Sequence, residues 1–129
     1  MGSVRVLTVD DHATFRHAAR ALIGATDGFE VAGEAASGEE GVAAAARLHP
    51  DLVLMDVRLP DIDGYEATRR IIPLRPEAVV VLVSATEEGV PGETAARCGA
   101  AAFVCKEQLR PSLLRELWDR HGHPVAASG

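Results

Sequence analysis

The sequence predicts a doubly wound α/β sheet, on three observations. Five short apolar runs alternate with helical patterns along the chain. Two of the runs, DLVLMDV (51–57) and AVVVLVSA (78–85), are apolar on consecutive positions, as strands covered on both faces of a parallel sheet are. A chain of 129 residues, 47% of them hydrophobic, suits one domain with one sizeable core.

The elements follow in order. VRVLTVD (4–10) is the first strand, and residues 12–25 then place Phe15, Ala18, Ala19, Leu22 and Ile23 at helical spacing before a turn at Asp27-Gly28. FEVAGEA (29–35) is the second strand. The Ala-rich stretch 38–48 is a helix with Ser37 as its N-cap, ended at His49-Pro50 because a residue before proline avoids helical angles. The third strand, 51–57, leads to a helix over 64–72 that Pro73 is expected to stop. After the fourth strand, TEEGVPGETAARCGA (86–100) carries Gly89, Pro91 and Gly92 where a helix should begin, which predicts a long loop and a short helix near 93–98. AAFVCKE (101–107) is the fifth strand. A last helix runs from about 110 to 120, with Pro111 in its first turn and Leu113, Leu114, Leu117 and Trp118 toward the core. Residues 121–129 read as a tail or the start of a linker, and no internal repeat or second domain is evident.

Charge and composition narrow the function. The formal net charge is −6, which argues against a grip on nucleic acid or on an anionic membrane by this chain itself. No run reaches the roughly 18 apolar residues of a membrane span, and no secretory signal pattern is present. Cys98 and Cys105 make no disulfide framework, and Cys105 reads as a small packed hydrophobe. A cytoplasmic location is expected.

Right-handed crossovers place all strand C-termini along one edge, where ligands bind in such sheets. Strand one ends in Asp10-Asp11, strand three in Asp56, strand four in Ser84 followed by Ala85-Thr86, and strand five in Lys106. Strand two ends in Glu34-Ala35 and offers little that converges. Three carboxylates held close cannot all stay ionised without a cation, and a hard divalent ion such as Mg2+ fits them. Lys106 adds a point charge, and a hydroxyl beside it can donate to a phosphoryl oxygen. Such a set suits phosphoryl transfer, where positioning and charge stabilisation do most of the catalysis and a carboxylate can be the nucleophile.

VDDH, LVLMDVRLPDIDG, LVSA and AAFVCKE, in this order over about residues 4–120, resemble the receiver domain of two-component response regulators. VDDHATFR, VAGEAASGEEGV, DLVLMDVRLPDIDGYEAT, and Lys106 followed by Glu rather than proline, resemble most the LuxR/NarL-like subfamily, whose receivers precede a helix-turn-helix DNA-binding domain. The resemblance implies a flavodoxin-like five-stranded parallel sheet of order 2-1-3-4-5, with residues 1–120 as the receiver. It implies Asp56 as phosphoacceptor from a phosphohistidine on a sensor histidine kinase. Asp10, Asp11, Asp56 and the backbone carbonyl of Arg58 would hold Mg2+, with Asp11 the more direct ligand of the first pair. Lys106 would pair with Asp56 at rest and with the phosphoryl group afterwards. Ser84 would bond a phosphoryl oxygen while Phe103 turns inward. Arg58 and Thr86 would flank the route of water and tune the phosphate's lifetime. DNA would be reached only through a C-terminal domain outside these residues, and a homodimer through the first and fifth or the fourth and fifth helices is left open.

Each residue also has a plainer reading. Asp10 and Asp11 can cap the next helix, Asp61, Asp63 and Gly64 look like turn and cap residues, and Phe103 can be core. His12, His17 and the remaining histidines lack a metal-pair spacing. An aspartyl-phosphate phosphatase would need a second Asp where Arg58 stands, and no P-loop motif occurs, so the expectation is a switch and not an enzyme beyond its own phosphorylation and dephosphorylation. The competing reading is a degenerate receiver that acts as a phosphorylation-independent interaction module.

Overall fold

The computed structural model describes residues 2–85 and 97–122. Strands β1 (Val4–Val9), β2 (Phe29–Ala35), β3 (Leu52–Asp56), β4 (Val79–Ser84) and β5 (Ala102–Cys105) form one parallel sheet in the order β2-β1-β3-β4-β5. The described helices are α1 (Ala13–Gly24), α2 (Gly38–Leu48), α3 (Gly64–Leu74) and α4 (Pro111–His121), with a 3-10 turn at Lys106–Gln108. The helix expected near 93–98 lies mostly outside the described residues.

Alternation along the central strands sends successive side chains to opposite faces. Leu7, Val9, Val53, Met55, Val80 and Leu82 pack against Ala44 and Ala45 of α2 and Ala67 and Ile71 of α3. Val4, Val6, Leu52, Leu54, Val81 and Val83 pack against Ile23 of α1 and Leu114 and Leu117 of α4. All five residues of β3 are buried, which is why that run carries no polar alternation. Burying a side chain such as Leu52 or Leu54 contributes roughly 1.5–3 kcal/mol.

Capping follows the sequence closely. Ser37 accepts from the Glu40 N–H at 3.1 Å, and Asp63 accepts from the Glu66 N–H at 2.8 Å. Asp61 reaches across to the start of α2, where it accepts from the Gly38 and Glu39 N–H groups, both at 2.8 Å. His49 closes α2 in the left-handed region, with φ 51°. Pro73 is a correction: it does not stop the helix, which continues through Leu74 and closes with Arg75 N–H on the Ile71 carbonyl at 2.9 Å. The ring's fixed φ is helical, so proline costs the helix a single bond to the carbonyl four residues back, and with only Leu74 following it the turns before it stay intact.

The order of strands places the functional edge. From β1 the chain crosses to β2 on one side and then returns to β3 on the other. The crevice at such a reversal lies beyond the C-termini of β1 and β3, where Asp10 and Asp56 stand.

Candidate functional site

Asp10 follows β1 directly and is fully buried. Its N–H bonds the Ala35 carbonyl of the neighbouring strand at 3.0 Å, which fixes the start of the loop. Its Oδ1 accepts the His12 backbone N–H at 2.8 Å and lies 2.9 Å from His12 Nδ1. Its Oδ2 has no hydrogen bond of acceptable geometry, and the Lys106 ammonium stands 2.6 Å away as a counter-charge. The Asp10 carbonyl accepts from Arg16 Nη1 at 2.6 Å. Arg16 and Arg20 in turn hold Glu34 at the end of β2, at 3.7 and 2.7 Å. The Arg20 hydrogen bond keeps the Glu34 carboxyl below the usual range. A brace from α1 to β2 thus steadies the loop that carries Asp10 and Asp11.

Asp56 ends β3 and is 5% exposed. Burial, then the neighbouring Asp10 charge, pushes its pKa up from 3.8 to about 6, against the opposing pull of Lys106 and the Arg58 N–H. That N–H donates to Asp56 Oδ1 over a long 3.4 Å. Asp11 is exposed on the rim, with Oδ1 3.2 Å from His12 Nδ1. Lys106 begins the 3-10 turn after β5 and bridges two carboxylates, at 2.6 Å from Asp10 and 3.9 Å from Asp56. The expected pairing with Asp56 is therefore the longer of two. The ammonium also lies 4.4 Å from the centre of the Phe15 ring, whose π face favours a cation.

Ser84 ends β4 one residue past Val83, the register partner of Asp56. Phe103 pairs with Leu82 and packs, partly buried, on the α2 and α3 side of the sheet. Alternation along β4 puts Ser84 on that same side as Leu82. Arg58 is exposed just past Asp56. Thr86, the other expected tuning residue, lies outside the described residues.

Asp10, Asp11, His12 and Asp56 each offer a ligand atom, and these atoms lie within 4.8 Å of one another. Three oxygen donors around a buried, incompletely bonded carboxylate are a set that a hard divalent cation fits. His12 was not expected here from spacing alone, since its place depends on the loop folding back over Asp10. The available signal was its position directly after two carboxylates. Phe15, expected in the core, serves also as the platform under Lys106.

The response regulator receiver domain model matches residues 6–117. The chain belongs to this family. Over 103 residues the receiver domain is 42% identical to the response regulator GacA of Pseudomonas viridiflava, a match covering 80% of this chain and 48% of that protein. The chain spans about half the length of the curated relatives it matches. Among solved structures, the receiver domain superposes on a two-component response regulator of the LuxR family from Aurantimonas sp. SI85-9A1 with a TM-score of 0.81, at 29% identity, covering 98% of this chain and 94% of that one. It superposes on the response regulator domain of Thermotoga maritima CheB with a TM-score of 0.80, at 30% identity, covering 91% and 95%. These likenesses agree with the sheet order 2-1-3-4-5 expected from sequence.

Proposed function

We propose that Asp56 is the phosphoacceptor of this receiver domain. The phosphohistidine N–P bond of a sensor histidine kinase breaks as an Asp56 Oδ–P bond forms. The observation that carries this reading is the placement of Asp56, buried at the crevice with Asp10 and Lys106 against it. Asp10, Asp11, Asp56 and the Arg58 carbonyl would hold Mg2+, which when bound neutralises charge on the phosphoryl oxygens.

The chain's own residues supply the rest. Lys106 offsets the charge of Asp10 and Asp56 at rest and reaches a phosphoryl oxygen afterwards. Ser84 donates its hydroxyl to another, and Phe103 follows inward, which makes the pair a bistable element set by a local charge event. Arg58 and Thr86 tune how long the acyl phosphate lasts.

The receiver unit is residues 1–120, and 121–129 is a tail or the start of a linker; α4 itself extends to His121. The likeness to a LuxR-family regulator, and the greater length of the curated relatives, support a transcriptional output through a C-terminal DNA-binding domain. The protein acts in the cytoplasm as a switch with no enzymatic activity beyond its own phosphorylation and dephosphorylation. No described helix is long and apolar enough to cross a membrane.

Incubation with Mg2+ and acetyl phosphate tests the reading by intact mass. The parent gains one phosphate and Asp56→Asn gains none. A parent that stays unmodified acts instead as a phosphorylation-independent interaction module.

A further inference from the structure

Phe15 holds a place that packing alone does not explain. It stands in the first turn of α1, and the neighbouring Arg16 ties that turn to the Asp10 carbonyl at 2.6 Å, so the ring is carried with the acidic edge. The ring packs, partly buried, on the α1 and α4 side of the sheet. A ring that served the core alone would be enclosed by it. Phe15 instead shares with Lys106 the wall of an open cleft of about 150 Å3, between α1 and the turn after β5. Lys106 is the only lysine of the chain. Its ammonium is 2.6 Å from Asp10 Oδ2, 3.9 Å from Asp56 Oδ2 and 4.4 Å from the centre of the Phe15 ring. The Asp10 contact lacks the alignment of a hydrogen bond, so it fixes distance more than direction. A flexible four-carbon stem does not fix the ammonium by itself. The negative face of an aromatic ring attracts a cation and keeps water from one side of it.

We infer that Phe15 is a positioning residue for phosphoryl transfer: its ring face holds the Lys106 ammonium at the crevice, against Asp10 and Asp56. The inference rests on the phosphoacceptor reading above. Without the ring's attraction the ammonium spends part of its time away from the crevice, and only the fraction of molecules with it in place is competent. A cation–π contact of ordinary strength corresponds to a change of about two- to fivefold. The effect is electrostatic, so it follows the electron density of the ring and not its size.

Phenylalanine analogues carrying one, two or three ring fluorines, placed at position 15 alone, weaken the attraction for a cation while nearly keeping the ring's shape. The rate of phosphorylation by acetyl phosphate with Mg2+ is expected to fall in that order, by about two- to fivefold in all. The Tm should stay within about 2 °C, which a loss of packing would not allow. Phe15→Leu keeps an apolar side chain without a π face, and should lose as much rate as the trifluorinated form. Lysine labelled with carbon-13 at Cε gives a single signal in this chain. The ring current of Phe15 should set its protons upfield of an ordinary lysine, and Phe15→Leu should return them. Equal rates along the fluorinated series, or a Lys106 signal that does not move in Phe15→Leu, overturns the inference and leaves Asp56 as phosphoacceptor. A parent that takes no phosphate overturns that reading, and the inference with it.

Discussion

Lys106 is bound more closely to Asp10 than to Asp56, at 2.6 Å against 3.9 Å, so the ammonium ties the loop after β1 to the end of β5. Asp10 is fully buried, and a charge so placed is costly without a partner.

Removing that partner should therefore destabilise the protein. Lys106→Met is expected to lower stability by about 2–3 kcal/mol at pH 7 without metal, a fall in Tm of about 10 °C. Mg2+ should recover more of this loss in the variant than it adds to the parent, since a divalent ion replaces the missing charge. Thermal melts with and without Mg2+ measure it. An unchanged midpoint would show that Asp10 does not depend on the ammonium.

The raised pKa of Asp56 sets the sign of a pH effect. Below about pH 3 the carboxyl is largely protonated both folded and unfolded, and its burial costs little. Between its usual value of 3.8 and about 6 the unfolded chain ionises first, so this group's contribution to stability is lost as the pH rises. The full shift corresponds to about 3 kcal/mol at most. Metal-free Asp56→Asn should thus be more stable than the parent at pH 8, by about 1–3 kcal/mol, and close to it at pH 3. Equal melting at both values would count against a buried, perturbed carboxylate.

Gly64 locks the loop behind Asp56. Its N–H donates to the Val57 carbonyl at 2.8 Å, and a Cβ there would run into the Asp56 carbonyl oxygen and lie 2.9 Å from Val57 Cα. Backbone cannot yield as a flexible side chain can. Gly64→Ala is expected to lose about 1–3 kcal/mol and to slow phosphorylation by acetyl phosphate, because the strand end must shift. Gly24→Ala, where nothing lies within 4 Å of the new methyl, is the control and should be neutral or slightly stabilising.

Arg58 reaches the site through its backbone, and its side chain is exposed. Arg58→Ala should leave Tm within about 1 °C, as surface changes usually do. It should alter the rate of acyl phosphate loss several-fold. A phosphate lifetime equal to that of the parent would remove Arg58 from the route of water.

The sheet was legible in the sequence because β3 and β4 are buried on both faces, and few other structures need such unbroken apolar runs. Asp10, Asp56, Ser84 and Lys106 were legible because parallel strands all end at one edge. The expectation for Pro73 missed because proline's φ is itself helical and only one further residue, Leu74, has to follow it in the helix. His12, and the choice of Asp10 by Lys106, depend on how two loops fold over the edge, which local spacing does not encode. The Gly- and Pro-containing segment 87–97 lies, apart from Arg97, outside the described residues.

The sheet order has a consequence for biosynthesis. Asp10 and Asp56 come from strands laid down early, while Lys106 arrives only with the last strand, at the sheet's far margin. A nascent chain still holding β5 inside the ribosome carries both acids and lacks their organic counter-ion. The chain's own neutralisation of these two acids therefore waits until the final strand has emerged.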